Sequence, residues 1–136
     1  MLLTFLRFNE KARMPVRKHF SDTGADIFMP CGGTIKGHET KVIPLGFGID
    51  IPNGYSMRIQ VRTSLAKEGI MVQGCAIDAG YMGEISMILH NLSDTPFTWK
   101  EGDRLAYLEM YQIIYPQFTD VDCRKRGDGA FGSTGR

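Results

Sequence analysis

Several stretches of this chain hold residues that could handle phosphate and water. In Val61-Arg62-Thr63-Ser64-Leu65-Ala66, a cation and two hydroxyls stand between an alternating, strand-like run and a short helix-forming run. The first N–H groups of a helix have no internal partners, and with the helix dipole they favour an anion. Phosphate binding by Arg62, Thr63 and Ser64 is one reading. An ordinary helix start capped by Thr63 or Ser64, with a surface arginine, is the other.

In the stretch from Gln73 to Glu84, Ala76 and Ile77 precede Asp78, and a glycine-bearing turn with Tyr81 follows it. A carboxylate held between apolar side chains and an aromatic ring can act as a general base on water. A turn aspartate, with Ala79-Gly80 completing the turn, is the plainer alternative. Glu101-Gly102-Asp103-Arg104-Leu105-Ala106 reads as a tight turn into a strand, in which Asp103 and Arg104 pair or bond the turn. The run from Arg126 to Gly135 is rich in glycine, whose exposed N–H groups can cradle phosphate. It has the outline of a P-loop, but Ser133 stands where the lysine belongs. Phe131 has no core to join in such a run. It suits stacking on an incoming base, worth ~1–3 kcal/mol.

These residues need elements to place them, and the dominant signal is short strands separated by Gly, Pro and Asn. Tyr55, Met57, Ile59 and Val61 alternate with Ser56, Arg58 and Gln60, the period-two pattern of a half-buried strand. Lys41–Ile43, Phe47–Ile51, Glu84–Asn91, Phe97–Trp99 and Arg104–Ile114 read as further strands, and the apolar N-terminus as a first one. The only helix candidate is Ser64–Gly69, one or two turns ended by Gly69. The expected architecture is all-β, a sandwich, barrel or jelly roll. A length of 136 residues suits one domain or one subunit of an oligomer. The last eleven residues have little to bury and read as a mobile tail.

Other classes fit poorly. Sixteen basic residues face fifteen acidic ones, and Arg124-Lys125-Arg126 is too short a cluster to suggest a polynucleotide surface. Cys31, Cys75 and Cys123 are widely spaced, without a C-x-x-C pair, and read as thiols in a reducing compartment. Scattered histidines leave a metal to carboxylates or to substrate phosphates, which favours magnesium over zinc. No run approaches transmembrane length, and no signal peptide is evident. The expected location is cytoplasmic, with neither nucleic acid nor membrane as partner.

The order of these stretches from Thr23 to Gly135 resembles the five motifs of the homotrimeric dUTPase family. The most specific pieces are Ile77-Asp78 with Tyr81 and Gly83, and the tail from Arg126 to Gly135. The resemblance implies a β jelly roll over residues 1–125, with residues 126–136 closing over the site. It also implies three subunits sharing three active sites, and hydrolysis of dUTP to dUMP and pyrophosphate. Asp78 would activate the water that attacks the α-phosphorus, and Asp26, within Thr23-Gly24-Ala25-Asp26-Ile27, would hold hydrated Mg2+. Arg62, Thr63 and Ser64 would grip the phosphates. Gln73, Gly74 and Ala76 would read uracil through backbone groups. Tyr81 would stack under the deoxyribose and exclude a 2′-hydroxyl. Arg126 would meet the γ-phosphate, Phe131 would cover uracil, and Gly132, Ser133 and Thr134 would wrap the phosphate chain.

The chain departs from the family pattern in places. Thr63 replaces a more usual Ser, Ser64 and Ala130 replace common glycines, and Ala25 replaces a larger residue. Tyr107 stands at a position that is commonly a phosphate-contacting Gln, which puts that contact in doubt. A dCTP deaminase shares the fold but needs a glutamate where this chain has Ile88. A catalytically silent binding protein of the same fold would not be expected to keep Asp78, Arg62, Arg126 and Phe131 together.

Overall fold

The computed structural model describes residues 1–73 and 75–126. The strands in chain order are β1 (Thr4–Arg7), β2 (Ala25–Ile27), β3 (Gly33–Ile35), β4 (Thr40–Pro44), β5 (Phe47–Asp50) and β6 (Tyr55–Val61). After the helix α1 (Thr63–Ala66) come β7 (Ile70–Val72), β8 (Ala76–Ile77), β9 (Ser86–Asn91), β10 (Phe97–Trp99) and β11 (Ala106–Gln112). A 3-10 turn spans Cys123–Arg126.

The expected all-β jelly roll is what forms. One sheet has the order β2-β11-β6-β8 and another β4-β9-β7, with two-stranded ribbons β1-β5 and β3-β10 beside them. The strands alternate as their sequences require. Met57 and Ile59 of β6 point inward, and so do Met87 and Leu89 of β9. Ile27, Ile70, Ile77 and Leu108 join them in one core drawn from both sheets. Each side chain buried there contributes on the order of 1.5–3 kcal/mol. Strand partners are far apart in the chain, as in Asp26 opposite Tyr107.

Three of these strands are shorter than the pattern suggests, β5 by the single residue Ile51. The strand read from Glu84 starts at Ser86, because Ile85 N–H donates to the Phe47 carbonyl across a bend (2.8 Å). The strand read as Arg104–Ile114 spans Ala106–Gln112, although the Leu105 carbonyl still accepts Arg62 N–H in register with β6 (3.1 Å). The helix is a single turn, and neither Thr63 nor Ser64 caps it. Arg62 occupies the cap position in extended conformation, without a side-chain cap bond. Gly69 follows it at φ +86°, the left-handed conformation that glycine adopts without a Cβ penalty.

Candidate active site

The residues assigned to phosphate and metal gather at one end of the four-stranded sheet. β2 and β11 are antiparallel, so Asp26 lies opposite Tyr107. Arg104, just before β11, points its guanidinium at Asp26, with Nη1 3.0 Å from Oδ2. Both side chains are partly buried, at 35% and 21% exposure, so the pair is less screened than a surface pair. Of the two readings of Asp103, pairing with Arg104 or bonding the turn, the second holds. The Asp103 carboxylate accepts Lys100 N–H (2.8 Å) and closes the turn, while Gly102 sits at φ +86°. Arg62 follows the end of β6 and donates from Nη1 to the Arg104 carbonyl (3.2 Å). Arg62, Ser64, Asp103 and Arg104 line a cleft of about 430 Å³. Arg62 and Arg104 bring two guanidiniums to this cleft, of which Asp26 pairs with Arg104 alone, while the Asp103 carboxylate also lines it. Thr63 is exposed beside it but is not part of its lining.

Tyr107 completes this end. Its ring lies against Gly24, where a Cβ would collide with it and come within 2.6 Å of the Leu108 carbonyl oxygen. The close approach therefore requires the glycine just before the Asp26 strand. Burial, and secondarily the Glu109 carboxylate, push the Tyr107 hydroxyl above its ordinary range, so it stays a neutral donor.

No cluster of three metal-ligating side chains occurs among the described residues. Asp26, half-buried and held by Arg104 beside a phosphate-sized cleft, suits magnesium, which keeps its waters and is commonly held by one or two carboxylates plus substrate phosphates.

The residues assigned to base, sugar and water form a second group. β8 pairs with β6, with Met57 opposite Ile77. Asp78 follows directly, and its carbonyl accepts Tyr81 N–H (3.3 Å) to close a turn with Gly80 at φ +84°. The Tyr81 hydroxyl donates to the Glu84 carbonyl (2.7 Å), which holds the ring over Gly83. Cys75, Ala76, Ile77, Asp78 and Tyr81 line a cleft of about 240 Å³. Gln73 is exposed and bonds Ile88 of β9 through its N–H (3.2 Å). Asp78 is exposed in the single chain, so the apolar enclosure expected around it is not supplied by this chain alone.

The two groups do not meet within one chain. Asp78 lies beyond Ile77 and so beside Ser56, at the start of β6, whereas Arg62 follows its end. Six residues of extended chain separate them, roughly 20 Å. The clefts share no lining residue. Gly74, Phe131, Gly132, Ser133 and Thr134 lie outside the described residues, and Arg126 is placed only by its backbone in the 3-10 turn. The sequence reading missed the Arg104–Asp26 pair. Seventy-eight positions separate these residues, and neither has a local signal for the other.

Comparison with known proteins gives the family of the chain. The family model described as dUTPase matches residues 10–135. A deoxyuridine 5'-triphosphate nucleotidohydrolase of Picosynechococcus is 38% identical, covering 99% of this chain and 99% of its own. The enzyme of the same name from Arabidopsis thaliana is 38% identical, covering 95% of this chain and 80% of its own. Among solved structures, a mutant dUTPase from phage phi11 of S. aureus superposes with a TM-score of 0.83 at 26% identity. It covers 90% of this chain and 97% of its own, and is described as coordinating a structural Mg(II) ion. On the breadth of the family match and the near full-length identity, this chain belongs to the dUTPase family.

Proposed function

We propose that the chain hydrolyses dUTP to dUMP and pyrophosphate, as the names of its relatives suggest. The observation that carries this is the pairing of functional ends on one sheet. A cleft holding Asp78 and Tyr81 lies at one end of β6, and a cation-lined cleft with Arg62 and Arg104 at the other.

In this reading Asp78 takes a proton from water as the water oxygen attacks the α-phosphorus. The bond from that phosphorus to the bridging oxygen breaks, and pyrophosphate leaves with the electron pair. Such a displacement needs positioning and charge neutralisation more than covalent help. Arg62 holds the phosphate chain and is itself steadied by the Arg104 carbonyl. Thr63 and Ser64 offer hydroxyl and backbone donors, and Tyr107 a neutral phenol. Asp26 would hold hydrated Mg2+, which supplies positive charge to the triphosphate when bound. Gln73, Gly74 and Ala76 read the base, and Tyr81 faces the sugar. Arg126, Phe131, Gly132, Ser133 and Thr134 close over the substrate, and residues 126–136 act as a unit distinct from the domain of residues 1–125.

The site is completed by other copies of the chain, as a homotrimer. A separation of roughly 20 Å exceeds what one triphosphate spans, because its α- and β-phosphates share an oxygen. A copy with one donor end and one acceptor end closes into a ring when the rotation allows. Ile114, Tyr115, Phe118 and Val121 support this, being exposed apolar residues after the last strand, suited to cover by a neighbour. Cys31, Cys75 and Cys123 are free thiols, which supports a reducing, cytoplasmic setting.

The test is pyrophosphate release from dUTP with Mg2+, beside dCTP, dTTP and UTP. Release confined to dUTP, lost in Asp78→Asn while dUTP binding persists, is the expected result. Ammonia from dCTP, or dUTP bound without turnover, would overturn it.

A further inference from the structure

The loop from Gln73 to Ala76 lies where the chain leaves one sheet for the other. β7 belongs to the β4-β9-β7 sheet, with Val72 opposite Leu89. β8 belongs to the other sheet, with Ala76 opposite Arg58. Gln73 extends the first pairing by one bond, its N–H donating to the Ile88 carbonyl (3.2 Å). Ile88 N–H meets no carbonyl of β7. It donates instead to the Cys75 Sγ (3.5 Å). The thiol in turn donates to the Gln73 carbonyl (3.1 Å). Meanwhile the Cys75 carbonyl accepts Ile59 N–H of β6 (3.3 Å). The main chain of Cys75 is thus tied to one sheet and its side chain to the other. Cys75 packs on the core and also lines the cleft with Asp78 and Tyr81.

We propose that Cys75 is a positioning residue for base recognition, its thiol closing a ring of bonds through Ile88 and Gln73 that holds the loop at the sheet switch. The inference rests on the reading that this loop contacts the base. A thiol is a weak donor and acceptor, but no other described group of the loop meets Ile88 N–H. Without it, a half-buried N–H loses its partner and the loop gains freedom that substrate must remove on binding.

The experiment compares the full-length protein with Cys75→Ala and Cys75→Ser. Amide exchange at Ile88, without substrate, should quicken on the order of tenfold in the alanine variant, and the serine variant should restore protection. In the same variants KM for dUTP should rise roughly threefold to tenfold in Cys75→Ala, with kcat little changed, and recover in Cys75→Ser. If the alanine variant does not fold, Cys75→Val keeps the packing volume, removes both bonds and carries the same expectation. Unchanged Ile88 exchange, or a KM rise that serine does not correct, would overturn the proposal. A failure of the parent chain to turn over dUTP would sink the functional reading instead and leave the exchange result to decide the tether.

Discussion

Gly83→Ala is a sharp test of how Tyr81 is held. A Cβ at Gly83 would lie 2.8 Å from the Tyr81 hydroxyl oxygen and 2.9 Å from Cζ. Comfortable carbon contacts are about 3.5–4.0 Å, so the ring must move by roughly 0.6–1.1 Å. Gly83 is not at a left-handed φ, so alanine brings no backbone strain, and the contact with the ring is what changes. A displacement of that size stretches the 2.7 Å bond to the Glu84 carbonyl towards or past its useful limit. The lost bond costs about 1 kcal/mol, near a fivefold effect. Misplacing a substrate-facing ring by that distance can cost up to about a hundredfold. Tyr81 is 48% exposed, so its hydroxyl finds water and the fold pays little. The expected result is a fall in kcat/KM for dUTP of roughly fivefold to a hundredfold. The ratio of dUTP to UTP activity should narrow, and urea-unfolding stability should move by no more than about 1 kcal/mol. Steady-state assays on both nucleotides, with urea unfolding alongside, decide it. Unchanged kcat/KM and an unchanged dUTP-to-UTP ratio would show that the placement of this ring does not govern sugar recognition.

Further outcomes follow from other contacts. Because burial and Glu109 raise the Tyr107 pKa, the unfolded chain releases this proton first. Tyr107 is therefore neutral to stability below about pH 10 and erodes it above. Tyr107→Phe should flatten the loss of urea-unfolding stability between about pH 9 and pH 11, and an unaltered slope would count against the burial argument. Asp26→Asn keeps the side chain's shape but removes the charge facing Arg104. It should raise the Mg2+ needed for half-maximal turnover on the order of tenfold, and an unchanged Mg2+ titration would refute the metal assignment. Ending the chain before Arg126 removes no residue buried among those described, the last of which is Glu109. Circular dichroism and elution volume should match the parent, while kcat/KM falls at least about a hundredfold, and full activity would refute the lid role.

Much of the fold was legible in the sequence because its signals are local. Alternation in Tyr55–Val61 needs only period-two geometry, and that strand has the expected bounds. Phe97–Trp99 is equally well marked. The turn at Asp78 could be read from Ala79-Gly80, and Gly80 does take positive φ there. Family membership was legible too, because ordered motifs lie in the chain itself. What was not legible depends on pairs of distant residues. Arg104 chooses Asp26 over the adjacent Asp103, because β2 and β11 bring the former to 3.0 Å while the Lys100 N–H occupies the latter. Arg62 takes the cap position in place of Thr63 or Ser64, since its N–H is held by the Leu105 carbonyl before the helix begins. Sequence alone marked seven of the eleven described strands, all but the short β2, β3, β7 and β8, together with which chemistry the motifs suit and where the proposed base and phosphate grips stand in the chain. Tertiary structure alone decided that Asp78 and Arg62 stand at opposite ends of β6, because hydrogen-bond register, set by packing across the whole sheet, places residues in space without regard to their separation in sequence.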